Sequence, residues 1–147
     1  MNQNNFLAGL GGAIVLTLLH ESLKHVNEDM PRIDLVGEEA VLKATNLIGV
    51  EIDNPETLYQ TTLMADILSN AAYYSMISGE GKALWGNAIS VGLLAGVGAI
   101  KLPEAFGLDD EPVTKTSKTK FLTVGYYLIG ALAAAALFQT LESTKNK

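Results

Sequence analysis

The sequence predicts an all-α polytopic membrane protein: four transmembrane helices in a bundle, plus one short amphipathic helix in the first loop. Two observations predict it. The apolar residues gather into long stretches nearly free of charge, while charged residues crowd into 21–56, 101–120 and the final positions. A bilayer demands that segregation, because a spanning helix needs roughly 20 mostly apolar residues with charges pushed to its ends. The second observation is that the stretches are punctuated by Gly, Pro and Asn, the residues that stop and start helices. At 147 residues the chain is one membrane domain.

The first span is expected over about 5–25. MNQNN carries no Lys or Arg before the apolar run, unlike a signal peptide, so the run is read as a retained helix. Gly9 and Gly12 give it the small-residue spacing that lets a neighbouring helix approach closely. GLGG is no phosphate loop, since no Lys-Ser/Thr follows it. In the polar connection that follows, Asp34 is placed to cap an amphipathic helix over about 35–48, with Gly49 as its stop.

The second span, about 55–78, has the clearest start in the chain. Asn54 suits an N-cap, Pro55 the first turn, and Glu56 the positive end of the helix dipole. The link GEGK is so short that the next helix is expected to return as its antiparallel neighbour. That third span, about 83–101, carries a belt-like Trp85 and the packing glycines Gly92 and Gly96. LDDEP and TKTSKTK then read as a solvated linker before the fourth span, about 121–141.

Composition excludes several functions. A net charge of −6 provides no basic face for nucleic acid, and no broad patch for anionic headgroups. With no cysteine, thiolate metal sites and cysteine nucleophiles are impossible. HESLKH imitates a zinc-binding His-Glu-x-x-His, but its histidines are five apart and turn away from each other on a helix. No nucleophile elbow or Walker loop is present, so no catalytic residue, metal ligand or cofactor is assigned.

The polar residues that remain lie within the second span. Thr62, Asp66, Ser69, Asn70 and Tyr73 follow helical spacing and form one stripe. An ionisable group inside a span costs on the order of 3 kcal/mol and ordinarily faces the interior. His20, near the end of the first span, is expected at similar depth to Asp66, and the two are read as a candidate pair. The candidate polar site is therefore Asp66, Asn70, His20, Thr62 and Tyr73.

Seven Lys and Arg side chains lie in the first and third loops, against three at Lys82, Lys145 and Lys147. The positive-inside rule then puts both termini outside the cytoplasm. The run LTLLHESLKHVNEDMPRIDLVGEEAVLK, with TKTSKTKFLTVGYYLIG before and into the last helix, resembles an uncharacterised family of small four-helix bacterial inner-membrane proteins. That resemblance implies an inner-membrane location and no activity. The leading functional expectation is a non-enzymatic protein packing with a membrane-protein partner, or as a homo-oligomer, within the lipid bilayer. A small transporter or channel using a polar path around Asp66 is the alternative, and a lipid-modifying enzyme the third.

Overall fold

The computed structural model describes residues 3–145, and it is all-α. In chain order the helices are α1 (Gln3–Leu23), α2 (Ile33–Leu47), α3 (Pro55–Tyr74), α4 (Gly81–Ala105), α5 (Glu111–Thr114) and α6 (Ser117–Lys145). Three of them, α1, α4 and α6, are long and apolar enough to cross a membrane. α3 is not, by composition, because the polar stripe dilutes it.

Close packing is spread along a row, α3 on α1, α1 on α6 and α6 on α4. Each junction rests on a small residue. A side chain at Gly9 would strike the backbone of Ala71 on α3 and of Ser75 just beyond it, and one at Gly12 would strike Gly130 and Ala134 on α6. Gly92 and Gly96 meet Leu128 and Val124 in the same way, seating α4 on α6. At the crossing of three helices, the Tyr74 hydroxyl donates to the Tyr127 carbonyl at 2.8 Å beside Gly130. All four expected packing glycines thus serve this chain's own core.

The row corrects one expectation. α3 and α4 follow each other through a short link, yet they do not pack along one another. The link is longer than it looked, because α3 stops at Tyr74 instead of reaching Ser78. Ser75 caps its end, and the Ser78 N–H donates to Asn87 Oδ1 on α4. Residues 75–80 therefore have enough reach to let α4 swing away onto α6.

Other boundaries shift for local reasons. Asn54 does cap α3, accepting the Thr57 N–H at 3.0 Å. Asp34 does not cap α2: the helix starts one residue before it, and its carboxylate is taken by side chains described below. α4 continues through Lys101 to Ala105, with Pro103 inside its last turn. α6 begins at Ser117, four residues before the expected start, with Thr116 Oγ1 accepting the Thr119 N–H at 3.0 Å. The TKTSKTK run keeps Lys115, Ser117, Lys118 and Lys120 exposed, while its threonines dock: Asp29 accepts from Thr116 and Lys118, and its carbonyl from Thr119.

α1 and α6 run antiparallel, so the described chain ends lie at one end of the molecule, where Asn4 Nδ2 donates to Glu142 Oε1 at 2.7 Å. The opposite end carries α2 and α5. There Arg32 N–H donates to the Pro112 carbonyl, and Lys43 Nζ donates to the Phe106 carbonyl at 2.6 Å. α2 buries no residue fully and leaves Leu35 and Leu47 exposed.

Candidate functional site: an ionic cluster at the head of a groove

The end of α1, the start of α2 and the first half of α3 converge. Helical spacing puts Thr17, His20 and Glu21 on the side of α1 facing α3, with Lys24 one turn beyond. Pro31 and Arg32 turn the chain so that Asp34, in the first turn of α2, comes back against them. The Arg32 guanidinium grips Asp34 with two hydrogen bonds, 2.9 and 2.8 Å. Lys24 Nζ donates to Glu21 at 2.9 Å and to Asp34 at 3.3 Å. From α3, the Tyr59 hydroxyl donates to Glu21 Oε2 at 2.6 Å, and its ring lies under Lys24 Nζ at 4.9 Å.

His20 sits between two acids. Its Nδ1 is 3.3 Å from Glu21 Oε1, and its Nε2 is 3.5 Å from Asp34 Oδ1. The second approach is too poorly aligned to be a hydrogen bond, and Nε2 is left without a partner. The Asp34 side chain is only 9% exposed. Burial pushes its carboxyl up, but the imidazole beside it and the paired Arg32 guanidinium outweigh that and hold it well below the usual carboxylate range. Burial works against the Lys24 ammonium too, and its contacts with Glu21 and Asp34 prevail, raising it.

Asp66 and His20 are not in direct contact, but both line one cavity of about 30 Å³ together with Thr17, Tyr59 and Thr62. On its other side Asp66 lines a much larger groove, about 490 Å³, running between α3 and α4 with α2 across its head. Ser69, Asn70 and Tyr73 continue the polar strip along the α3 wall; Leu94, Ala95, Gly98, Ala99 and Leu102 form the apolar α4 wall, and Tyr127 of α6 also lines it. Asn70 Nδ2 donates to Asp66 Oδ1 at 3.0 Å within α3, and does not reach across to a neighbouring helix. Asp66 is thus the one acid shared by the small cavity and the groove.

The sequence reading found the stripe and His20, and it missed half of the cluster. It assigns no role to Glu21, Lys24 and Tyr59, and takes Asp34 for a helix cap. Arg32 meets the Asp34 carboxylate. The only signal for the rest was the density of opposite charges within 20–34. Among the described residues, no three His, Asp or Glu side chains are arranged to hold a metal ion. No known protein family, no curated protein and no solved structure matches this chain. The geometry therefore carries the functional argument alone.

Proposed function

We propose that this is a four-span membrane protein that binds one chain-like amphiphile in the α3–α4 groove, with the polar path around Asp66 receiving its polar end. The carrying observation is the groove itself: a long apolar wall faces a polar strip, at the membrane depth where lipids are the abundant ligands. Its volume suits a single small molecule. The reading of glycine faces as an assembly surface loses its specific support, because Gly9, Gly12, Gly92 and Gly96 are occupied within the chain.

α3 serves as the fourth crossing. Its 20 residues extend about 30 Å. Its outward residues Met64 and Leu68 are exposed and apolar, while Thr62 and Asn70 are buried. That is a lipid-facing helix with its polar side turned in. The positive-inside count supports an inner-membrane orientation with α2 and α5 cytoplasmic and the chain ends outside.

The test is native mass spectrometry of gently extracted protein, comparing wild type with Gly98→Leu. Gly98 lines the groove, and an added Cβ would meet only Leu102 of its own helix at 3.4 Å, so a larger side chain projects into open groove. The expected result is one reproducible lipid-class adduct per chain, reduced at least tenfold by Gly98→Leu. A stoichiometric protein partner without an adduct returns the function to helix packing.

A further inference from the structure

The groove between α3 and α4 carries charge of one sign. Asp66 is the one acid among the residues lining it, and no Lys, Arg or His joins it there. The bases of the surrounding turns are committed elsewhere. Lys24 and Arg32 are held by Glu21 and Asp34, and Lys43 by the Phe106 and Gly107 carbonyls. Among the described residues, no Lys or Arg forms an ion pair with Asp66. A phosphate or sulfate headgroup entering the groove would find no guanidinium fork or ammonium to hold it. That exclusion holds whichever form the Asp66 carboxyl takes.

The hydrogen bonds of the polar strip supply an independent observation. The Ser69 hydroxyl donates to the Asp66 carbonyl at 3.1 Å, and Asn70 Nδ2 gives one hydrogen to Asp66 Oδ1 at 3.0 Å. Asp66 Oδ2, Asn70 Oδ1 and the Ser69 lone pairs are left as acceptors. Against them stand two donors, the second Asn70 amide hydrogen and the Tyr73 hydroxyl. Acceptors prevail, so the polar end that matches this strip brings hydrogens to give. Asn70 is only 8% exposed, a setting in which such bonds count for more than in water.

Resting on the reading of the groove as an amphiphile site, we propose that its ligand is a single-chain primary amine. The aliphatic chain lies along the apolar α4 wall, and the protonated amine meets Asp66 and Asn70. An ammonium supplies three donors and one positive charge, which matches the surplus acceptors and the lone acid. A lipid with a phosphate is rejected, because its anionic oxygens would stand beside a carboxyl with no cation between them. A quaternary ammonium has the charge but no N–H to donate, so it fits less well.

The test titrates the full chain in phosphatidylcholine nanodiscs with dodecylamine, dodecyltrimethylammonium, dodecanol and dodecyl sulfate at matched mole fractions. The readout is the saturable shift of the backbone amide NMR signals of 66–73 and 98. Dodecylamine should bind about tenfold tighter than the alcohol or the sulfate, and also tighter than the quaternary probe. Asp66→Asn should erase the amine's advantage over the alcohol, and Gly98→Leu should abolish the shifts from every probe. Alcohol or sulfate binding as tightly as the amine overturns the proposal, while sensitivity to Gly98→Leu keeps the groove. An advantage that survives Asp66→Asn, or equal binding of the two ammonium probes, overturns it too. Shifts that ignore Gly98→Leu overturn the amphiphile groove itself, and the amine with it. Where Asp66→Asn does not fold, the order of the four probes on the wild-type chain decides.

Discussion

Lys43 Nζ reaches from α2 to the Phe106 carbonyl at 2.6 Å and the Gly107 carbonyl at 3.4 Å, so a side chain of one helix terminates another. The last carbonyls of α4 carry the negative end of its dipole, and the ammonium satisfies them. Glu39, one turn earlier on α2, accepts the Asp109 N–H at 2.8 Å. Together the two residues fix the head of the groove, since α2 and the end of α4 both line it.

Replacing Lys43 by Met should therefore loosen that end without unfolding the protein. The expected cost is about 0.5–1 kcal/mol, because the contact is exposed. Hydrogen exchange should quicken at the amides of 106–108, and Lys43→Arg should restore most of the protection.

Asp34→Asn should be far more damaging, by about 3–5 kcal/mol, since it leaves Lys24 and Arg32 without their buried partner. The sign of the pH dependence follows from the depressed native carboxyl. As pH falls, the unfolded chain takes up this proton first, near the ordinary value of about 4. Asp34's contribution is full above that value and is lost as pH falls through the native one. Wild type should thus lose stability below about pH 4 more steeply than Asp34→Asn, as measured by detergent-induced unfolding at a series of pH values.

Gly96→Leu and Gly12→Leu should destabilise the single chain. Each added side chain meets backbone of a packed neighbour, so overpacking costs about 1–3 kcal/mol or more. Thermal unfolding of dilute protein should show the loss. Unchanged stability with a lost oligomer would instead place those glycines on an assembly face.

Thr116→Ala should cost about 1 kcal/mol by removing the cap of α6 and one of the bonds holding Asp29. Thr116→Ser should be nearly neutral in the same unfolding assay.

The chain has no cysteine, so single cysteines report topology without background. A membrane-impermeant maleimide should label Lys115→Cys and Lys82→Cys from opposite sides. Labelling of both from one side would remove α4 as a crossing.

The helices were legible because hydropathy and caps are local properties. Asn54-Pro55-Glu56 announced α3, and the charge-poor runs announced α1, α4 and α6. The order of helices in space was not legible. It depends on which small residues face one another, and Gly9 and Gly12 read alike although one meets α3 and the other α6. The polar stripe on α3 was visible as periodicity, and His20 as a nearby titratable group. The partners of His20 were not, because Asp34 looked like a helix cap. Only the turn at Pro31-Arg32 brings its carboxylate back onto α1, and such a turn leaves no periodic trace.

The row of helices also sets an order of assembly during synthesis. α1 and α3 can pair as soon as both have left the ribosome. α4 packs chiefly on α6, the last helix made, so its glycine face stays without its partner until translation is nearly complete. The nascent protein thus forms as two hairpin-like halves that close late across α1 and α6. A delay at the final helix leaves α4 as the segment most open to mispairing or degradation.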